Sequence, residues 1–232
     1  MQHAAMDLSD LHLDAGTPLR SRSSVGPGTS SAAPTVFFVD DDVCVRDSLE
    51  LLADWAGWRV ETFASANEFL ARPRPSVPSC LVLDVGLPDA SGLEMQQRLA
   101  DRPEMPIIFV TGCGDVRTAV RAMKAGAVEF FTKPLADELL LDAMRHAIER
   151  SRAALARRSE LDALRQRYAS LTCRERAVMA LVVCGRLNKQ CGAELGISEI
   201  TVKAHRGKMM RKMGARSLPE LVNIAAKLFP AA

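Results

Sequence analysis

Asp40, Asp41, Asp84, Thr111 and Lys133 are the residues of this 232-residue chain whose types and placement point to shared chemistry. Each follows a short apolar run: Val36-Phe37-Phe38-Val39 before Asp40-Asp41-Asp42, Cys80-Leu81-Val82-Leu83 before Asp84, Ile107-Ile108-Phe109-Val110 before Thr111, and Val128-Glu129-Phe130-Phe131 shortly before Lys133-Pro134. Clustered carboxylates repel one another unless a cation sits among them, and a donor set made only of oxygens suits Mg²⁺. A carboxylate can itself be the nucleophile and form an acyl phosphate. Phosphoryl transfer then needs in-line positioning and neutralised charge, which a metal and an ammonium such as Lys133 can supply. A hydroxyl such as Thr111 can donate to a phosphoryl oxygen that is absent before the reaction, and so can sense it.

These residues serve one site only if the fold brings the ends of the runs together. From Thr35 onward, apolar runs of strand length alternate with helical stretches: 43–56, 66–71, 91–100, 116–125, and a helix beginning at Ala136. Five strand–helix repeats in about 120 residues imply an α/β fold with a parallel sheet covered by helices on both faces. Right-handed crossovers favour the doubly wound order 2-1-3-4-5. In such a sheet ligands bind outside the carboxyl ends of the strands, where the order reverses. The carboxylates, the hydroxyl and the ammonium all fall on that rim.

Residues 35–150 resemble a receiver domain, through VDDD after the first strand, LVLDVGLPDASG around Asp84, FVTG at the fourth strand and FFTKP at the fifth. The resemblance implies that Asp84 accepts phosphate from a partner sensor histidine kinase, with Asp40 and Asp41 as the acid pair that holds Mg²⁺ beside it. It implies a metal contact from the backbone carbonyl of Gly86, two residues after Asp84. It makes Thr111, Phe130 and Lys133 the switch residues. Gly86 leaves the lifetime of the phosphorylated form open, because it has no side chain to influence dephosphorylation. The family is a phosphoacceptor with at most slow self-dephosphorylation, and not an enzyme in the ordinary sense. Haloacid-dehalogenase-like phosphohydrolases also pair an Asp nucleophile with Mg²⁺. They carry a second catalytic Asp two residues after the first, on strand one, whereas Asp84 closes the third run and Gly86 holds that place.

A second constellation lies beyond residue 170. Thr172-x-x-Glu175 is a capping-box start for a helix to about Cys184, which Gly185 is placed to end. A short helix over 188–195, a Gly196-Ile197 turn and a helix from the Ser198 cap to Met213 make a helix-turn-helix pattern, with a last helix over 218–228. In the third of these helices Val202, Met209 and Met213 form one apolar stripe. Lys203, Ala204, Gly207, Lys208 and Arg211 fall opposite. Lys203 can donate to guanine edges and Ala204 can touch a thymine methyl, while Lys208 and Arg211 can reach bases or phosphates. Arg206 on the flank suits a phosphate, as does Thr201 near the helix start.

This stretch, LTCRERAVMALVVCGRLNKQCGAELGISEITVKAHRGKMMRKMG, resembles the LuxR-type four-helix effector domain, and with the receiver it resembles a FixJ/NarL-type response regulator. Arg186-Leu187 stands where a small capping residue is common before the second helix. The expected organisation is a disordered arm (1–34), a receiver (35–150), a linker helix continuing from it (151–168) and a helix-turn-helix DNA-binding domain (169–232). A break in the long helix near Ser151 or Ser159 stays open. The resemblance implies double-stranded promoter DNA as partner, RNA polymerase as a further one, and a homodimer on phosphorylation through helices 116–125 and 136–150. The alternative is a phosphorylation-independent DNA-binding regulator whose receiver serves for dimerisation or docking.

Charge and composition agree. Residues 35–134 carry 15 acidic and 10 basic side chains, whereas residues 166–232 carry 4 and 12. An acidic body joined to a basic module points to a polyanion partner for the latter. The six cysteines show no C-x-x-C spacing and no Cys/His pairing of the zinc type. No apolar run is long enough to span a bilayer, and the first 30 residues lack the pattern of a secretion signal. The expectation is a cytoplasmic protein that does not engage a membrane.

Overall fold

The computed structural model of the protein describes residues 33–112 and 114–230. The N-terminal arm expected to be disordered lies, but for its last two residues, outside the described residues. Five strands, β1 (Thr35–Val39), β2 (Arg59–Phe63), β3 (Ser79–Leu83), β4 (Ile107–Thr111) and β5 (Glu129–Thr132), alternate with α1 (Val43–Trp55), α2 (Ala66–Leu70), α3 (Gly92–Arg98) and α4 (Val116–Lys124). All pairings are parallel, and the sheet order is β2-β1-β3-β4-β5, as the alternation of runs and helices implies.

The central strands β1, β3 and β4 are buried at every position and mostly apolar, because both faces are covered. Successive side chains point to opposite faces, so each strand divides its residues between two cores. Phe37, Val39, Leu81, Leu83, Ile107 and Phe109 meet Ala66, Phe69, Leu93, Met95 and Ala122 from α2, α3 and α4. Val36, Phe38, Cys80, Val82, Ile108 and Val110 meet Ala53 from α1 and Leu140, Met144, Ala147 and Ile148 from the fifth helix. Burial of this kind stabilises by about 1.5–3 kcal/mol per large apolar side chain. It also leaves the strand ends as the place where polar residues can gather.

The fifth helix, α5 (Asp137–Ala169), runs 33 residues without interruption, about 50 Å at 1.5 Å per residue. Neither Ser151 nor Ser159 breaks it. Ser151 is buried, and its hydroxyl is engaged away from the helix axis. It donates to the Glu104 carbonyl (2.5 Å) and accepts from the Ser79 N–H (2.9 Å). Two turns further on, Arg158 donates to the buried Glu104 carboxylate at 3.0 Å. The sheet's hold on α5 therefore reaches past Ile148, well into the segment read as linker.

The last helices are α6 (Cys173–Val183), α7 (Asn188–Leu195), α8 (Glu199–Met213) and α9 (Leu218–Leu228). They enclose a third core of Val178, Met179, Val182, Cys191, Val202, Met209, Met213 and Leu221. The C-terminal end of α5 belongs to it through Tyr168, whose ring meets Phe229 edge-on at 5.1 Å. Thr172 and Glu175 form the expected capping box. Glu175 also accepts from Lys212 at 2.7 Å, tying α6 to α8. Lys212, and then the Thr172 N–H, hold its carboxyl below the ordinary carboxylate range. Leu187 gives α7 no side-chain cap, and only the reciprocal bond forms, from the Leu187 N–H to Gln190 (2.8 Å).

Candidate functional site

The parallel order sets the ends of β1, β3, β4 and β5 side by side, and the polar residues that follow them converge. Asp40, Asp41 and Asp84 can each offer a carboxylate oxygen such that the three lie within 4.8 Å of one another. Asp40 is 4% exposed and fully engaged: one oxygen accepts from the Asp42 N–H (3.0 Å), the other from Lys133 Nζ (2.6 Å). Lys133 Nζ also stands 3.9 Å from Asp84 Oδ2. The Asp84 side chain is 12% exposed, and its other oxygen accepts from the Gly86 N–H at 3.3 Å. Asp41 faces solvent. Three carboxylates balanced by one ammonium leave excess negative charge among oxygen donors, a setting that fits a hard divalent cation.

The neighbouring Asp42 has a different task. It caps α1, accepting from the Cys44 N–H at 2.8 Å, and so turns the chain away from the rim. Thr111 is buried at the end of β4, and its carbonyl accepts the Lys133 N–H at 2.8 Å, which links those two positions through the backbone. Phe130 pairs with Phe109 in register, its ring 5.8 Å from the Phe109 ring and packed on the core beneath. The Phe130 ring therefore does not stand free in solvent. The structure thus brings together Asp40, Asp41, Asp84 and Lys133, and sets Thr111 and Phe130 on the adjoining strands.

Three contributors escaped the sequence reading. Gly92 opens α3 beneath Asp84, and a Cβ there would lie 2.5 Å from the Asp84 carbonyl oxygen and 3.0 Å from Val85 Cα. Only glycine permits that approach; its place in the run DASG was the available signal. Asp89 reaches back from the loop after β3 to cap α2, accepting from the N–H groups of Asn67 (2.8 Å) and Ala66 (3.1 Å). The Asn67 bond leads in holding its carboxyl below the usual range. Arg46 donates to the Asp40 carbonyl at 2.6 Å. No spacing rule identifies the Asp89 bonds, since they depend on the tertiary approach of separate segments, and the Arg46 bond depends on how the chain turns from β1 into α1.

On the C-terminal domain, α8 buries Val202, Met209 and Met213 and exposes Lys203, Ala204, Gly207, Lys208 and Arg211. The turn before it is made by Gly196 in the left-handed region (φ +66°). Ser198 caps the helix through the Thr201 N–H, and the two hydroxyls lie 2.8 Å apart. Lys203 pairs with Glu199 at 3.0 Å along the helix. Arg206, read as a flanking phosphate contact, donates to Asn188 Oδ1 at 2.9 Å and braces α8 against α7. Among the described residues, neither Lys208 nor Arg211 makes an ion pair.

Comparison with known proteins supports both halves. Residues 36–145 match the family of the response regulator receiver domain, and residues 169–225 match the luxR family of bacterial regulatory proteins. The chain is 47% identical over 208 residues to nodulation protein W of Bradyrhizobium diazoefficiens, covering 89% of this chain and 92% of that one. It is 42% identical over 192 residues to the transcriptional regulatory protein FixJ of Rhizobium meliloti, covering 82% and 94%. The chain belongs to the two-component response regulators. Among solved structures, response regulator StyR superposes with a TM-score of 0.74 at 46% identity, covering 84% of this chain and all of that one. This response regulator is a transcriptional regulator that joins a receiver, with its acidic pocket, to a LuxR-type DNA-binding domain. No helix among its described residues is long and apolar enough to cross a membrane.

Proposed function

We propose that Asp84 accepts a phosphoryl group from a sensor histidine kinase in the cytoplasm, and that the phosphorylated protein binds promoter DNA through α8 as a dimer. The observation that carries this reading is the convergence of Asp84, Asp40, Asp41 and Lys133 at one sheet edge. Asp40, Asp41, Asp84 and the Gly86 carbonyl are the groups that would hold Mg²⁺, which when bound supplies charge neutralisation for phosphoryl oxygens. The Asp84 carboxylate attacks phosphorus, forming a P–O bond as the P–N bond to the donor imidazole breaks. The bonding pair leaves with the imidazole nitrogen, which takes up a proton. Lys133, held by Asp40, presents its ammonium to the incoming phosphoryl charge. Thr111 and Phe130 on the adjoining strands respond to the new group. The receiver acts as an acceptor, with self-dephosphorylation slow.

Dimerisation is supported by apolar surface on the helices beside β5: Val116, Val120 and Met123 on α4 and Leu139 on α5 all stand exposed. The two α8 helices of a dimer would reach half-sites about 34–36 Å apart. RNA polymerase is the further partner of a regulator placed at a promoter.

The test is phosphate labelling of the full-length protein from acetyl phosphate with Mg²⁺, with promoter-fragment affinity and sedimentation measured in parallel. Asp84→Asn should take up no label and should show no gain in dimerisation or DNA affinity. Unimpaired labelling of that variant would overturn the acceptor assignment. Labelling that changes neither association nor DNA affinity would favour a regulator independent of phosphorylation.

A further inference from the structure

Ile200 is the exposed residue of α8 that the reading of this helix leaves without a task. It stands 80% exposed in the first helical turn, one residue after Glu199. At 100° per residue it lies about 160° from Val202, so it points directly away from the core, on one line with Ala204, Gly207 and Arg211. A β-branched side chain gains little for the helix at such a place, since its χ1 is restricted and most of its surface stays in water.

Gly207 shares the same line and poses the same question. A Cβ built on it meets nothing within 4 Å, so no packing inside the protein excludes a side chain there. A glycine within a helix costs stability relative to alanine. Its benefit must come from something that approaches the helix from outside. The ridge Ile200–Ala204–Gly207 is thus apolar at its N-terminal end and flat further on. Lys203, Lys208 and Arg211 border it, which fits a polyanion that also presents a small apolar group.

B-form DNA offers one such group in the major groove, the C5-methyl of thymine. The N-terminal residues of a groove-lying helix are the ones that meet base edges. Resting on the DNA-binding reading above, we infer that Ile200 is a specificity residue that packs on a thymine methyl, with Ala204 and Gly207 letting the helix sit close enough for that contact. No hydrogen bond is needed. Discrimination comes from the methyl surface taken out of water, and it is lost when either partner is trimmed.

The experiment is selection of duplexes from a randomised library by the phosphorylated full-length protein, wild type against Ile200→Ala and Ile200→Val. Each thymine of the wild-type consensus is then replaced singly by deoxyuridine, which lacks only the methyl. One thymine per half-site should emerge whose replacement weakens wild-type binding about fourfold, the equivalent of one methyl buried. Ile200→Ala should bind both duplexes equally and lose the preference at that position alone, while Ile200→Val keeps it. A consensus and a uridine profile unchanged in Ile200→Ala would overturn the inference and leave the DNA-binding reading intact. Failure of the wild type to enrich any sequence would overturn both. Thermal unfolding of the three proteins should nearly coincide, since Ile200 is largely exposed.

Discussion

At the acidic rim, each buried functional side chain is held by a residue from another strand or loop, whereas on the outer side of α8 the functional side chains are held mainly by the helix that carries them. Asp40 is gripped by Lys133 from the far side of the sheet and by the N–H of Asp42. Asp84 sits over Gly92 and near the same lysine. Lys208 and Arg211, by contrast, project into solvent, and the precision of α8 comes from Val202, Met209 and Met213 on its hidden side. The contrast follows from the two tasks. Holding a doubly charged group on a carboxylate needs preorganised opposing charge at fixed positions. Meeting DNA needs a mobile cationic surface on a rigid support, with phosphate contacts that position and a few base contacts that specify. Substitutions at the rim should therefore disturb several partners at once, while those on α8 should act singly.

The largest effect is expected from Lys133→Met. It removes the ammonium shared by Asp40 and Asp84, and phosphate uptake from acetyl phosphate should fall by at least about a hundredfold, the usual scale for losing a preorganised charge. Labelling rates give the answer, and a rate near wild type would break the comparison at its stronger side. Next comes Gly92→Ala. The added methyl meets backbone rather than a yielding side chain, and the receiver should lose about 1–3 kcal/mol, as overpacked sites do. Hydrogen exchange of the β3 and β4 amides in the full-length protein should show that loss while α6 and α8 stay protected. An equal loss in both places would mean that the receiver and the C-terminal domain unfold as one. The smallest effect belongs to Arg211→Ala. Stability should stay within about 0.5 kcal/mol of wild type, while the slope of log affinity for DNA against log salt should shrink by about one unit. A stability change well above that bound would show that Arg211 is structural and that the two regions are less different than they look.

Much of this was legible in the chain. The alternation of apolar runs with helical stretches, the residue that closes each run, and the stripe of Val202, Met209 and Met213 are local patterns, and local patterns survive in a sequence. Arg206 shows where local reasoning stops. Its flank position suggests a phosphate contact, but no local pattern reveals that its guanidinium also bonds Asn188, 18 residues earlier, where the turn folds α7 back beside α8. Ser151 and Ser159 illustrate the same point. Either could have ended α5, but Ser151 instead bridges Ser79 and Glu104, and the helix continues.

The sequence by itself determined which residue types stand at which strand ends and which face of α8 is apolar, because period-2 and period-3.6 patterns encode burial directly. Only the tertiary structure decided which carboxylate is gripped and which is open to solvent, why position 92 must be glycine, and how far the sheet's hold extends along α5. Those outcomes depend on distances of a few ångströms between segments tens of residues apart. No one-dimensional pattern carries such distances, since they emerge only once both cores have closed on the sheet.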